Sequence, residues 1–303
     1  MSRGPSMVSP AAAPLGVAVQ GELGSNSELA AREYFPDAEL AIVPCPSFAA
    51  LFDAVAEGRA AYGMAPVENS LAGSVHEVWD LLAARRPAIA GEILLRINHC
   101  LISHRGARLS EVADVYSHPQ ALAQCQAFLG KMQDVRQHPF YDTAGAVKMV
   151  AARGVRGEAA IASAQAAADY GMEILAGDIE TQTENFTRFL VLAAAPVAPG
   201  AAAGTDIHTA VVAEMGERGR RLPELVAPLV SRGLEITKVE CSKRLGTPWT
   251  YVAYIEFAGA AADPAVWEAL VEMGRVAAPL TVVGTYRAGR RATPRLHHRL
   301  PPG

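Results

Sequence analysis

Six consecutive residues, Glu184-Asn185-Phe186-Thr187-Arg188-Phe189, set an amide, a hydroxyl and a guanidinium at the head of the apolar run Leu190-Val191-Leu192. An apolar, β-prone run ended by small residues and proline reads as a buried strand. Polar groups at the mouth of such a strand need partners. They can find them in a strand-edge hydrogen-bond cluster or in a ligand, and these six residues alone fit both. The chemistry on offer is hydrogen-bond donation and charge pairing. Three further stretches supply groups of the same kind at the ends of apolar runs: Glu68-Asn69-Ser70, His118-Pro119-Gln120 with Gln124, and Asp142-Thr143. Helix capping explains any one of them; their repetition points to a shared cleft lined with donors.

The elements that would position these groups alternate along the first 190 or so residues. Gly16–Gln20 reads as a strand, Gly21–Ser27 as a Gly-rich loop and Ser27–Tyr34 as a helix. That order makes an anion site, because helix amides point into the loop. Strands follow at Glu39–Val43 and Tyr62–Pro66, with a helix at Ser47–Glu57 between them and another at His76–Ala84. The apolar segment Ile93–Ser103 is expected to hold a strand crossing from one lobe to another. Asp114–Ser117, Val135–His138 and Ala159–Ala162 read as strands, each leading to a helix. Loops after buried strands are where α/β proteins bind ligands.

Composition narrows the class. At 303 residues, two domains are a better prior than one, and half the residues are hydrophobic against 19% charged. A net charge of −4 gives no reason to expect nucleic acid, and an anionic substrate would need a locally positive pocket. Cys45, Cys100, Cys125 and Cys241 are widely spaced without a Cys-x-x-Cys pair, which argues against a disulfide framework or a zinc site and fits the reducing cytoplasm. The first 15 residues, with three prolines and no continuous apolar core, read as a disordered leader rather than a signal peptide. No stretch approaches the ~18 apolar residues of a membrane span.

With these residues in view the chain resembles the prephenate dehydratase family. The carriers are Tyr170–Leu175, Ile179 and Asn185–Phe189, joined in order by GELGSNSELAA (21–31), PVENSLAGSV (66–75), SHPQALAQC (117–125) and DTAGAVK (142–148). Thr181 departs from the family, which usually has Asp or Asn there. The resemblance covers residues 16–193 and implies an α/β fold of two lobes, like a type II periplasmic binding protein, with the active site between them. It implies that prephenate loses carbon dioxide and its ring hydroxyl to give phenylpyruvate, on the route to phenylalanine. Aromatisation drives that elimination, so no cofactor or metal is implied. Thr187 takes the role of donor to the leaving hydroxyl, and Arg188 that of a charged partner for a substrate carboxylate or a neighbouring acid. Ser27, Asn69, Ser70, Ser117, Gln124, Thr143, Asn185 and Phe189 are the implied substrate-binding positions, while His118 serves at least as well to shape its turn. Arogenate dehydratases share these motifs. A non-catalytic amino-acid sensor is the competing class, and it would have no use for a leaving-group donor.

Residues 194–206, rich in Ala, Pro and Gly, read as a linker. Beyond it, 207–288 follows a βαββαβ pattern, a ferredoxin-like unit that resembles the ACT regulatory domain. Ile236–Glu240 matches the family's signature strand. Cys241-Ser242-Lys243 then replaces the usual Ser-Arg-Pro, Arg220-Arg221-Leu222 replaces Gly-Ala-Leu, and Glu235 stands where an Asn is usual. The implied effector positions Leu222, Glu235 and Glu240 therefore sit in an altered setting, and bulky cations would obstruct a pocket built on close backbone approach. Feedback by L-phenylalanine is expected to be weakened, lost or given to another effector. A homodimer or homotetramer is expected, with cross-strand pairing as the unit's other role. The basic end from 289 to 303 reads as a flexible tail.

Overall fold

The computed structural model describes residues 13–195, 206–217, 221–243, 249–277 and 279–294. Most of the expected leader (1–12) and linker (196–205), together with Arg220 and the end of the tail (295–303), lies outside the described residues.

The first lobe is built from β1 (Leu15–Gln20), α1 (Asn26–Tyr34), β2 (Leu40–Cys45), α2 (Phe48–Ala56), β3 (Tyr62–Asn69), the short β4 (Gly73–Ser74), α3 (His76–Arg85) and β5 (Ala88–Arg96). The second holds β6 (Cys100–Ser103), β7 (Asp114–Ser117), α4 (Pro119–Gln124), α5 (Gln126–Leu129), β8 (Arg136–Pro139), α6 (Thr143–Arg153), β9 (Glu158–Ala162), α7 (Ala164–Asp169) and β10 (Glu173–Ala176). The chain then returns to the first sheet as β11 (Phe186–Ala193), which lies antiparallel between β3 and β5. Each lobe has its own sheet, in the orders β5-β11-β3-β1-β2 and β10-β6-β9-β7-β8. This is a two-lobed fold of the type II periplasmic-binding-protein kind. Two segments cross between the lobes, 97–99 and 177–185, and they pair: Ile97 N donates to Asn185 O at 2.7 Å and Ile179 N to His99 O at 3.1 Å.

The helices start where short polar side chains cap them. Ser25 accepts from Glu28 N, Ser47 from Ala50 N, Asp142 from Gly145 N and Ser163 from Ala166 N. The run Ile93–Ser103 differs from its sequence reading. It is two strands in two sheets, interrupted by the crossing at Asn98-His99, where buried polar groups meet Glu180.

The C-terminal unit comprises β12 (Ile207–Glu217), α8 (Leu222–Ser231), β13 (Ile236–Lys243), β14 (Thr250–Ala258), α9 (Pro264–Val276) and β15 (Leu280–Arg287). Its antiparallel order, β13-β14-β12-β15, is ferredoxin-like. The helices cover one face through Leu225, Leu229, Val266, Leu270 and Met273. The other face, with Ala210, Val212, Val252, Tyr254 and Tyr286, packs on Trp79, Leu82, Leu190 and Leu192 of the first lobe. One apolar core thus spans the two.

The described start of the tail joins the first sheet. Arg290–Ala292 form β16, which pairs in parallel with β5 as a further strand of the first sheet. Gly289 allows the approach, since a Cβ there would stand 2.7 Å from the Glu92 carbonyl. Ala292 is buried with Ile93 and Leu95, and the Arg291 guanidinium lies over the Phe186 ring at 5.0 Å. No helix among the described residues is long and apolar enough to cross a membrane.

Candidate active site

Between the lobes lie two adjoining cavities of about 230 and 380 Å³, both lined by Asn26, His118, Gln120, Thr143 and Thr187. Strand alternation explains why Thr187 reaches them. On β11, Thr187 and Phe189 face the cleft, and Leu190 and Leu192 face the C-terminal sheet. Asn69, paired with Thr187 across the β3–β11 ladder, comes to the same wall.

A chain of amides fixes the Thr187 hydroxyl. The Asn69 Nδ2 amide donates to Thr187 Oγ1 at 3.0 Å and to Asn185 Oδ1 at 2.8 Å. Asn69 Oδ1 accepts from the backbone N–H groups of Leu71 and Ala72, which sets the orientation of its amide. Asn185 Nδ2 donates to Gln124 Oε1 at 3.3 Å, and His99 Nε2 lies 2.8 Å from the same oxygen. An amide oxygen only accepts, so His99 carries its proton on Nε2. Burial holds this imidazole below its usual range, against the opposing pull of Gln124 and Glu180, so the ring is neutral at neutral pH. At the far end, Thr187 Oγ1 already accepts from Asn69. Its own proton is free to point into the cleft.

Among the described residues, neither cavity is lined by a Lys or Arg. What positive potential there is comes from helix starts: Ser25, Asn26 and Ser27 at the head of α1, and Thr143 at the head of α6. Asp142 also lines the larger cavity, with Oδ1 taken by Gly145 N at 3.0 Å. Burial pushes the Cys100 and Cys125 thiols up to about 12, which leaves both unsuited to act as nucleophiles.

The loop before α1 also joins the lobes. Ser163 Oγ donates to Gly24 O at 2.6 Å, and Gly24, at φ +83°, abuts α7 so closely that a Cβ would lie 2.5 Å from Ala166 Cα. Backbone cannot yield there. Gly24→Ala is expected to cost about 1–3 kcal/mol of stability and to raise KM more than it lowers kcat, because it wedges the lobes apart. Thermal unfolding and steady-state kinetics check this; an unchanged KM would count against it.

Of the positions expected from sequence, Thr187, Asn69, Gln124, Thr143 and Asn185 gather on the smaller cavity, while Ser27 and Phe189 line the larger. Three expectations need correction. Ser117 is fully buried and donates to Ile161 O at 2.6 Å, tying β7 to β9 rather than facing the cleft. Ser70 is exposed and pins the loop before β11, donating to Glu184 O and accepting from Phe186 N. Arg188 leaves the cleft altogether, because the residue after an inward Thr187 must point outward. Its guanidinium meets Glu92, Glu68, Glu256 and the Tyr286 hydroxyl. Of the two partners considered for it, substrate or acid, the acids hold it. His118 caps α4 by accepting from Gln120 N and also lines both cavities.

In the C-terminal unit, Leu222 packs into that unit's own core and Glu235 is exposed. Glu240 turns to the first lobe, bonding Ser74 Oγ and His76 Nε2. Asn26 and Gln120 come from stretches that the sequence singles out, whereas His99 is a cavity residue that sequence reasoning misses. The one signal for His99 was a histidine inside a buried apolar run.

The Prephenate dehydratase family model matches residues 17–197. The chain is 38% identical to arogenate dehydratase 2 of Petunia hybrida, over 90% of this chain and 71% of that protein. It is 37% identical to arogenate dehydratase/prephenate dehydratase 2, chloroplastic, of Arabidopsis thaliana, over 89% and 72%. Among solved structures, the prephenate dehydratase of Arthrobacter aurescens in complex with L-Phe superposes with a TM-score of 0.80 at 26% identity, covering 91% of this chain and 90% of that one. A protein described as a novel type of quorum quenching acylase, GqqA, gives 0.80 at 30% identity, covering 90% and 98%. The cleft motifs, the two-lobed fold and these matches together show that the chain belongs to the prephenate dehydratase family, whose prephenate and arogenate dehydratases are lyases.

Proposed function

We propose that this enzyme converts prephenate to phenylpyruvate, with Thr187 as donor to the departing hydroxyl. The observation that carries the reading is the Asn69–Thr187 hydrogen bond. It occupies a lone pair of Oγ1 and leaves the hydroxyl proton free to point into the cleft. As the ring carboxylate leaves as carbon dioxide, its bonding pair enters the ring, the C–O bond breaks and the oxygen takes the pair as hydroxide. A threonine hydroxyl is too weak an acid to be ionised beforehand. It serves as a hydrogen bond that strengthens as charge develops on that oxygen. Ser27, Asn26, Gln124 and Thr143 then hold the remaining oxygens of the dianion, helped by the heads of α1 and α6.

The relatives' names favour a second substrate, arogenate, in which an amino group replaces the keto oxygen. Its ammonium would need an acceptor, and Asp142 is the carboxylate on the larger cavity wall. The test is the appearance of phenylpyruvate from prephenate, with phenylalanine from arogenate measured in parallel. Activity on arogenate alone would replace the first reading, and activity on neither would remove both. Amide hydrolysis is a poorer fit: Thr187 Oγ1 meets an amide N–H, not a base that could activate it.

We further propose that the C-terminal unit is an ACT domain with altered effector chemistry. Supporting this, Glu240 is committed to Ser74, His76 and Lys238, and Arg221 stands at the head of α8. Millimolar L-phenylalanine is expected to leave turnover near its uninhibited level. Strong cooperative inhibition would overturn the proposal.

A further inference from the structure

The residues behind the cleft wall are charged, and the C-terminal sheet supplies part of that charge. Thr187 and Asn69 face each other across the β3–β11 ladder, and so do their chain neighbours Arg188 and Glu68. A register shift against β3 between Arg188 and Phe189 changes how residues on the two strands oppose one another, as a β-bulge does. Arg188 and Glu68 meet at 3.3 Å behind the pair that fronts the cleft.

Both backing residues are gripped from the C-terminal sheet. Glu256 of β14, itself buried, bonds the Arg188 guanidinium through both of its oxygens, and Tyr286 of β15 adds its hydroxyl at 3.0 Å. Lys238 of β13 reaches Glu68 at 3.0 Å. Glu92 of β5 completes the cluster from the first lobe. Burial alone would raise the Glu256 carboxyl, but the Arg188 hydrogen bonds and charge bring it below the usual range, so the contact is an ion pair.

We infer that this cluster of Arg188, Glu68, Glu92, Lys238, Glu256 and Tyr286 positions the catalytic Thr187–Asn69 pair, so that the C-terminal unit completes the active site rather than merely being attached to it. The inference rests on Thr187 as the donor. Its physical basis is leverage across one peptide unit. Arg188 is bonded covalently to Thr187 and Glu68 to Asn69, and side chains on successive strand residues project to opposite faces. Holding the outward guanidinium by bidentate pairing fixes its plane as well as its place. That in turn limits how far the inward hydroxyl can swing. The reaction asks for such limits, because misplacement of a reacting group by about 1 Å can cost a hundredfold in rate.

The cluster residues are positioning residues, since none of them lines either cavity. Their removal should therefore appear in kcat, with substrate affinity spared. Glu256→Gln, which keeps the shape and removes the charge, is expected to lower kcat about tenfold with KM changed by less than about twofold. Lys238→Met, at the more open end of the cluster, should act in the same direction. The double variant should lose less than the product of the two, because both act on one ladder pair. In a Thr187→Ala background Glu256→Gln should cost nothing further. The control is Tyr254→Phe, which removes a hydroxyl bonded to Asp80 of α3 across the same domain boundary, outside the charged cluster; it should leave kcat unchanged.

Wild-type kcat in both Glu256→Gln and Lys238→Met would overturn the inference. So would losses that merely track thermal stability, as shown by an equally impaired Tyr254→Phe. If Glu256→Gln does not fold, Tyr286→Phe takes its place with the same expected split. The underlying reading fails separately: a fully active Thr187→Ala overturns the donor role, whereas an inactive Thr187→Ala beside fully active cluster variants overturns only the coupling.

Discussion

Replacing Thr187 by alanine leaves a folded protein whose turnover falls by about 10²–10³, the usual cost of one lost transition-state donor. The fold is spared because Thr187 contributes little to it through its side chain. The backbone ladder to Asn69 and Leu95 is untouched. The Asn69 amide keeps Asn185 Oδ1 and Phe186 O as acceptors once Thr187 Oγ1 is gone. What disappears is a bond worth most when negative charge collects on the departing oxygen. For that reason kcat and kcat/KM should fall together, with KM moving little. Thr187→Ser retains the hydroxyl and should recover most of the rate, less what the serine's freer rotation costs. Product absorbance under saturating substrate, with circular dichroism as the folding control, measures all of this. A folded alanine variant working at the wild-type rate would remove Thr187 from the reaction.

Much of this arrangement could be read from the chain, and each departure has a physical cause. Asn69, Thr143, Asn185 and Thr187 stand at strand ends or a helix start and Gln124 closes a helix, where local pattern predicts both element and exposure, and they meet in one cleft. The chemistry of Arg188 suits a substrate carboxylate and a neighbouring acid alike. Period-two alternation already argued that a strand cannot send both Thr187 and Arg188 inward. Ser117 ends a strand as several of the binding residues do, but β7 lies between β9 and β8 and its last side chain is buried and bonded to β9. His99 was hidden for a different reason. It interrupts an apolar run, and the groups that explain it, Gln124 and Glu180, lie 25 and 81 residues away. The start of the tail, basic and Pro-containing, suggests solvent on composition, whereas Arg290–Ala292 find a strand partner, β5, far back in the chain. Local pattern finds elements; which face an element buries depends on neighbours that only the folded chain supplies.

Arg188 is where the largest loss of stability should fall. Arg188→Leu is expected to destabilise the protein by about 3–5 kcal/mol, as removal of one partner of a buried ion pair does. Its side chain is 16% exposed, and those of Glu92 and Glu256 are 4% and 2% exposed. Without the guanidinium, these carboxylates face each other and Tyr286 across a space too dry to screen them. The effect must depend on pH, and the sign follows from the Glu256 carboxyl. In the wild-type fold burial would raise it, yet Arg188 brings it below its ordinary value. The unfolded chain therefore binds the proton more readily, and the pair's contribution is fully present above the ordinary glutamate range and drains away as pH falls through the folded value. In Arg188→Leu the same carboxyl loses the cation that held it down, and burial then favours the protonated form. Acid should thus weaken the wild type while relieving the variant, so the gap between them narrows from pH 7 toward pH 4. Adding Glu256→Leu to Arg188→Leu should recover part of the loss even at pH 7, since it removes an orphaned buried charge. Urea denaturation across that pH range is the measurement. A gap below about 1 kcal/mol, the scale of an exposed surface pair, or a gap that widened in acid, would mean that Arg188 is not the buried cation these contacts require.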